Sequence, residues 1–499
     1  MEKIVEWLVG QVWSLGLVVF ALGAGLFFSI TTRFLQIRYF KEMIKLLFEG
    51  KSSDSGVSSF QAFCMALAGR VGIGNIAGVA TAIAFGGPGA VFWMWIMALL
   101  GGASAFIEST LAQLYKSKVG NEYRGGTPYF IEKGLKIKWF ASLVAIVVTI
   151  SYGFLLPGIQ SSTIAVGFEN TSGINKGITG VLLVVLLAII IFGGVKRIAN
   201  VAEKIVPFMA VGYVIVTFII LFANMKEVPA MFALIFSSAF GVNEAFGGIV
   251  GAAIAWGVKR AVFSNVAGVG EGTYSSAAAE VSHPAKQGLV QAFSVYIDTL
   301  VVCTATALMI LVTGMYSVTP EGKEPIVETM GNIEAGPIYT QEAVDTVLPG
   351  FGSIFISVAI FFFAFTTLMA YYYIAETTLI YLDKKLKLQW LKTILKIVFL
   401  FMVYIGSVES ASLLWALGDL GIGSMAWLNL IAILLLTKPA LKVLKDYEVQ
   451  RKAGKDPIFD PSKVEIDGAD FWEEKYREIE SGTSKDKVST GGPGTKIMQ

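Results

Sequence analysis

Long apolar runs joined by short polar connections fill most of the chain. A helix needs about twenty mostly apolar residues to cross roughly 30 Å of hydrocarbon. On that measure spans are predicted near 12–31, 59–84, 89–114, 139–166, 177–194, 198–223, 245–280 (interrupted), 287–314, 351–380, 391–408 and 412–437. The runs are continuously apolar rather than alternating, which excludes an outer-membrane barrel. The first run has no small-residue cleavage site and is too long for a signal-peptide core, so it is kept as a span. The expected fold is an all-α polytopic membrane protein of about eleven transmembrane helices.

Lysine and arginine positions orient these spans. Arg33, Arg38, Lys41, Lys45 and Lys51 crowd the stretch 32–58, and Lys116, Lys118, Arg124, Lys133, Lys136 and Lys138 crowd 115–138. Further clusters are Lys196/Arg197/Lys204, Lys384/Lys385/Lys387 and the C-terminal tail, whereas 85–88 and 409–411 carry none and 315–350 only Lys323. The basic side is cytoplasmic by the positive-inside rule, so the N-terminus is expected outside and the C-terminus inside, in a multi-pass cell-membrane protein. The acidic connection 315–350 (Glu321, Glu324, Glu328, Glu334, Glu342, Asp345) reads as a solvated outer loop. Three regions follow: 1–58, an N-terminal helix and cytoplasmic connection; 59–437, the membrane core; and 438–499, a polar cytoplasmic tail. The end of that tail, SGTSKDKVSTGGPGTK, is low-complexity and expected to be disordered.

Composition narrows the function. Charges balance to +2, with 39 basic and 37 acidic residues, so nucleic-acid binding is not implied. A single histidine forbids any site needing two imidazoles, and two cysteines forbid a thiolate zinc cluster. That histidine, His283, lies in a cytoplasmic connection before Pro284; Asp419 is an acid without an evident partner; no catalytic constellation is visible, and an enzyme is not expected.

Two spans are punctuated by glycine and asparagine where a lipid-facing helix would not be. One reads MALAGRVGIGNIAGVATAIAFGGPGA (65–90), the other GVKRAVFSNVAGVGEGTYSSAAAE (257–280), and both contain Asn-(Ile/Val)-Ala-Gly-Val, at Asn75–Val79 and Asn265–Val269. Without the first run, the two lead successive sets of five spans, 59–223 and 243–437, and five being odd, the second set is inserted upside down. Paired interruptions in inverted repeats point to a transporter's midplane site. Unwound backbone must be satisfied by protein, water or ligand. Half-helix N-termini suit a carboxylate, and exposed carbonyls suit Na⁺ or an ammonium. Gly74 and Gly78 also form a GxxxG spacing, so close helix packing is the competing explanation for the first break.

Arg70, Lys259, Arg260, Glu108, Gln160, Asp298, Thr366, Thr367 and Glu376 complete the polar residues within spans. Such charges are costly in a membrane. Asp298 and Glu108 are expected to pair with Arg70 or Lys259, as a gate or as a static ion pair. Thr366 and Thr367 either return their hydroxyls to their own helix or supply a cation site. Phe92, Trp93 and Trp95 are expected to face lipid or the interface.

At these residues the chain resembles the alanine/glycine:cation symporter family. The resemblance rests on Gly86–Gly101 (GGPGAVFWMWIMALLG), Arg70–Val79, Gly194–Ala210 (GVKRIANVAEKIVPFMA), Val258–Gly268 (VKRAVFSNVAG), Val281–Val290 and Ile297–Cys303. It covers the membrane part and stops near residue 455. Two positions depart from the family's pattern: Ile73, where many members have threonine, and Val266, where many have glutamate. The resemblance implies the ten-helix inverted-repeat fold of the leucine-transporter type, preceded here by one extra helix, and sodium-coupled uptake of alanine or glycine. It implies that amides near Gly72, Ile73 and Gly74 receive the substrate carboxylate, with Asn75 beside it. Phe263, Ser264 and Asn265 would line the opposite side and Gln160 a third wall. Carbonyls of Ala68 and Val71, with Thr366 and Thr367, would form the sodium site. Partners expected are the amino acid, Na⁺ as coupling ion and the bilayer; no cofactor is expected, and one copy is expected to suffice. Proton coupling through Asp298 and Glu108 is the nearest alternative. A passive channel is less favoured, because rings of one polar residue type are missing.

Overall fold

The computed structural model describes residues 2–50, 52–331, 333–386 and 390–480. Lys51, Lys387 and the low-complexity stretch from 481 onward lie outside these residues.

The chain is helical almost throughout. Ahead of the core come α1 (Glu2–Val12), α2 (Leu15–Thr31), α3 (Leu35–Arg38) and α4 (Phe40–Leu47). Arg33 and Phe34, both in the left-handed region at φ +56° and +51°, make the elbow between α2 and α3. The first repeat runs through α5 (Ser59–Arg70), α6 (Ala77–Gly86), α7 (Gly89–Leu114), α8 (Thr127–Phe130), α9 (Lys138–Ile150), α10 (Pro157–Ser172), α11 (Lys176–Ile191) and α12 (Gly194–Ala223). After α13 (Val228–Ala239), the second repeat holds α14 (Val250–Asn265), α15 (Gly272–Ala278), α16 (Pro284–Tyr296), α17 (Thr304–Thr313), α18 (Pro337–Asp345), α19 (Gly352–Leu386), α20 (Leu391–Val408) and α21 (Ala411–Leu435). Wide π-helical turns at Ser151–Leu155 and Ile297–Cys303 join α9 to α10 and α16 to α17, an insertion often found at functional sites. Two short antiparallel pairs, Ser117–Val119 with Glu122–Arg124 and Ser317–Val318 with Val327–Glu328, complete the regular structure.

Among the described residues eight helical segments are long and apolar enough to cross a bilayer, nine when the bent pair Ser59–Arg70 and Ile73–Gly86 is one span. The eleven crossings expected exceed this number; α11 and the broken α14–α15 pair, which the sequence reading also took as spans, fall short by length.

One feature differs from the sequence reading. Phe92, Trp93 and Trp95 do not simply face lipid. The unanticipated α13 covers them: Phe92 packs 4.9 Å from the Phe240 ring just beyond its end, Trp95 6.2 Å from Phe236, and Trp93 Nε1 donates to the Ala239 carbonyl at 3.4 Å. The tail, for which the sequence reading gave polarity and a disordered end but no fold, is folded where described. It forms α22 (Thr437–Lys452), α23 (Pro461–Val464) and α24 (Asp470–Glu480). Tyr447, Phe459 and Trp472 are buried, and Trp472 Nε1 donates to the Gln113 carbonyl at 2.9 Å. A few aromatics outweigh the high charge because each buries a large apolar surface.

Candidate functional site

The first break is short. After Arg70 the backbone leaves the helix at Val71 and Gly72, makes one tight turn over Ile73–Asn75, and restarts as α6, with the two halves bent by 63°. The second break occupies 266–271. Val266, a β-branched residue, sits at φ +46° in the left-handed region, a strained placement held by its surroundings. Gly270 follows at φ +96° and packs so closely that an added Cβ would meet Thr127 Oγ1 at 2.5 Å. The shared pentapeptide therefore plays two parts: after Asn75 it begins a helix, whereas after Asn265 it is the break.

The breaks touch. An added Cβ on Gly74 would lie 3.2 Å from Ser264 Cα and 3.3 Å from Phe263 Cδ1, and one on Gly78 would lie 3.8 Å from Arg260 Cδ. The GxxxG face thus packs on the other broken helix, so close packing and the paired-break reading hold together.

Asp298 and Arg70 tie the breaks to the π-helical turn and α16. Asn75 Nδ2 donates to Asp298 Oδ1 at 2.7 Å, and the Ser264 and Thr299 hydroxyls donate to Oδ2 at 2.9 and 2.8 Å. Arg70 donates to the Asn265 carbonyl at 2.7 Å, to the Gln291 carbonyl at 3.3 Å and to Ser294 Oγ. The ion pairs expected between Arg70 or Lys259 and Asp298 or Glu108 do not form within 4 Å among the described residues. Arg70 is solvated by carbonyls, and Glu108 accepts from Asn429 Nδ2 at 2.8 Å. Asn75 and Asn265 act as positioning residues. Asn75 Oδ1 accepts from the Gly72 amide at 2.9 Å, while Asn265 Oδ1 accepts from the Ala267 amide at 3.0 Å and its Nδ2 donates to Thr299.

Other predicted residues gather at the first break. Gln160 Oε1 accepts from the Ile73 amide at 3.4 Å, and its Nε2 donates to Tyr371 Oη at 3.3 Å. The Tyr371 ring packs 5.0 Å from Tyr152, whose hydroxyl donates to Glu271 Oε2 at 2.7 Å. Thr367 Oγ1 stands 2.9 Å from the Ala68 carbonyl oxygen and 3.5 Å from that of Val71, and also 2.9 Å from the Phe363 carbonyl of its own helix. Thr366 does not join it. Its hydroxyl is held by the Phe362 and Phe363 carbonyls, both at 3.0 Å, and faces Met209 Sδ at 3.9 Å. Adjacent helical side chains point about 100° apart, so only one can face the break.

Asp419, unpartnered in the sequence reading, pairs with Lys259 at 2.8 Å and Arg260 at 3.1 Å. Arg260 also lies over the Trp256 and Trp415 rings at 5.0 and 4.8 Å, and the Phe263 ring packs tilted, 5.3 Å from that of Trp415. The result is a cation–aromatic plug beside the paired breaks, formed on α14 and α21.

At the far end of α15, Glu280 binds Lys475 of the tail and Tyr123 Oη at 2.7 Å. Lys116 beside it lies over the Tyr123 and Phe471 rings at 4.3 and 4.6 Å. Burial alone would raise the Glu280 carboxyl, but Lys116 and Lys475 together hold it down at about 2. His283 caps α16: Nδ1 accepts from the Ala285 amide at 3.2 Å and Nε2 faces Asp446 at 3.1 Å. Burial pulls its imidazole below the ordinary value, consistent with a neutral capping ring.

The profile of the sodium:alanine symporter family matches residues 1–461. The chain is 53% identical over 444 residues to the "Sodium/proton-dependent alanine carrier protein" of Bacillus sp. (strain PS3), covering 89% of this chain and 100% of that one. It is 36% identical to the "Sodium/alanine symporter AgcS" of Methanococcus maripaludis, covering 88% and 96% respectively. The crystal structure of MhsT in complex with L-phenylalanine is similar at a TM-score of 0.51 and 15% identity, covering 78% of this chain and 100% of that one, and bears on the fold alone: the leucine-transporter type. The chain belongs to the sodium:alanine symporter family.

Proposed function

We infer that the protein is a secondary active transporter that carries a small neutral amino acid, alanine or glycine, into the cell together with Na⁺ by alternating access. The observation that carries this reading is the contact between the first unwound turn and the last turn of the helix that leads into the second, Gly74 against Ser264 and Phe263, beside the hydrogen bonds of Asp298 and Arg70. Relatives named for sodium and alanine support it. The Ile73 amide, held only by Gln160 Oε1 at 3.4 Å, would exchange that contact for a substrate carboxylate oxygen. The Gly72 amide is engaged by Asn75 and keeps the turn in shape. The Ala68 and Val71 carbonyls with the Thr367 hydroxyl form an oxygen set suited to a hard cation. Phe263 and Gln160 bound the side-chain end, and Ser264 serves through Asp298. The N-terminus lies outside, the C-terminus in the cytoplasm, and one copy suffices.

A zwitterion moved with one Na⁺ carries one charge inward. A potential of 100 mV supplies about 2.3 kcal/mol, roughly fifty-fold accumulation before any sodium gradient is counted. The test is uptake of labelled alanine into proteoliposomes with and without an inward sodium gradient; equal rates refute the coupling.

One observation favours a second coupling ion. Glu271 and Glu108 are buried; among the described residues each has one carboxylate oxygen lacking a hydrogen-bond partner and neither forms an ion pair. A proton on either would supply the missing donor. Alanine uptake driven by a pH gradient in sodium-free buffer would establish this route.

A further inference from the structure

Away from the paired breaks, the outer ends of the two broken helices are joined by backbone. Just ahead of α5, the Val57 amide donates to the Ala278 carbonyl at 3.0 Å, and the Glu280 amide donates to the Val57 carbonyl at 2.8 Å, a single parallel bridge at the end of α15. The positive-inside rule assigns this side to the cytoplasm. On the alternating-access reading given above, α5 and α15 part here when substrate leaves inward.

What fixes the bridge comes from the tail and from the end of α7. The Glu280 carboxylate accepts from Ser53 Oγ at 2.8 Å and Tyr123 Oη at 2.7 Å, and pairs with Lys475 of α24. The Ala279 carbonyl accepts from Gln113 Nε2 at 2.9 Å and Lys116 Nζ at 2.8 Å. Lys116 is buried, and the Phe471 and Trp472 rings of α24 cover its ammonium at 4.6 and 5.4 Å. Lys475 Nζ also donates to the Val281 carbonyl at 3.2 Å, and the Phe459 amide to the Ser282 carbonyl at 2.9 Å. The tail therefore grips successive residues of the α15–α16 link, while Trp472 Nε1 anchors it to the Gln113 carbonyl of α7 at 2.9 Å. The Lys475 and Glu280 side chains are only 20% and 14% exposed, so salt does not screen this pair as it screens a surface one.

We propose that the C-terminal tail is a strap that holds the cytoplasmic side shut: α24 clamps the end of α15 to α7, α5 hangs from that end through the Val57 bridge, and release of the strap is a step of inward opening. The strap has this role only on the alternating-access reading. It acts on Glu280 and Lys116, which lie apart from the residues assigned to substrate and Na⁺, and so sets how often the protein opens inward rather than what it binds.

Amide hydrogen exchange of the full-length protein in detergent, read by mass spectrometry without alanine or sodium, follows the bridge directly through the Val57 and Glu280 amides. Lys475→Glu sets a second carboxylate against Glu280, and Trp472→Ala removes a ring from over Lys116. Each is expected to speed exchange in peptides holding Val57 and Glu280 about ten-fold, with the segment 304–318 at the opposite end staying at its wild-type rate. Lys475→Arg keeps the charge and should match the wild type. Sodium-driven alanine uptake into proteoliposomes should show a raised maximal rate in both fast-exchanging variants. Faster exchange confined to 455–480, equal acceleration at 304–318, or a maximal rate that does not rise in either variant overturns the proposal. Exchange is read without substrate or ion, so a failure of the coupling, seen as wild-type uptake indifferent to sodium, is distinguishable from a failure of the strap.

Discussion

Replacing Thr367 by valine keeps the side chain's shape and removes its hydroxyl. That hydroxyl lies 2.9 Å from the Phe363 carbonyl of its own helix but, unlike that of Thr366, also 2.9 Å from the Ala68 carbonyl oxygen and 3.5 Å from that of Val71, at the point where α5 ends. In the ion-free protein the change removes a neutral hydrogen bond, worth about 0.5–1.5 kcal/mol. On the proposed reading, in the sodium-loaded protein it removes a contact to a charge, worth about 1.5–3 kcal/mol. The difference, roughly 1–2 kcal/mol, falls on sodium affinity and raises half-saturating sodium about 5- to 30-fold. Thr366→Val is the internal control. Its hydroxyl is spent on Phe362 and Phe363 carbonyls of its own helix, so sodium dependence should stay within about two-fold. Thr367→Ser should restore the wild-type curve. The assay is the sodium dependence of alanine uptake in proteoliposomes at saturating alanine. Identical curves for the two valine variants would refute the assignment of the cation to the Thr367 side of α19.

Asp419→Asn removes the carboxylate shared by Lys259 and Arg260; two mostly buried cations are then left facing each other, and the thermal midpoint in detergent should drop steeply, by the equivalent of about 3–5 kcal/mol. Asp419→Asn with Arg260→Met should recover part of that loss. Glu280 titrates near 2 in the folded protein against about 4.3 unfolded, so its contribution is full above the unfolded value and is lost as pH falls from there through about 2. Thermal unfolding from pH 7 to pH 3 should show this acid loss, and Glu280→Gln should flatten it. Trp472→Ala deletes a buried indole from the tail; about 3–5 kcal/mol of local stability should go, read as faster proteolysis within 455–480.

Much of this architecture was legible because it depends on local composition. Hydrophobic length set the spans, and glycine with asparagine marked both breaks within a few residues of Gly72 and Gly268. What the sequence hid depends on distance and helix phase. The pairing of Asn75 with Asp298 joins positions 223 residues apart, and no spacing rule foretells it. Asp419 lacked a partner in sequence because Lys259 and Arg260 lie on α14, about 160 residues earlier in the chain. Thr366 and Thr367 are equivalent as letters, and only the rotation of α19 separates them. The tail's packing had a signal in Phe459, Phe471 and Trp472, diluted by the charges around them.

The pattern of bonds also bears on how ion and substrate are coupled. Arg70 and Asp298 bind α5, the first turn, α14 and the π-helical turn into one hydrogen-bonded body. Against that body, Gln160 of α10 and Thr367 of α19 each reach the first break directly, through the Ile73 amide and through the Ala68 and Val71 carbonyls. On the proposed reading, the carboxylate sits at the first of these seams and Na⁺ at the second. Each ligand then bridges two bodies that internal bonds hold together only lightly. A ligand shifts a conformational equilibrium only by its difference in affinity between the two states. Placing both ligands across seams makes that difference large, because separating the bodies strips each of its partners on one side. Coupling then follows from geometry: either ligand alone closes one seam, and closing both takes the pair.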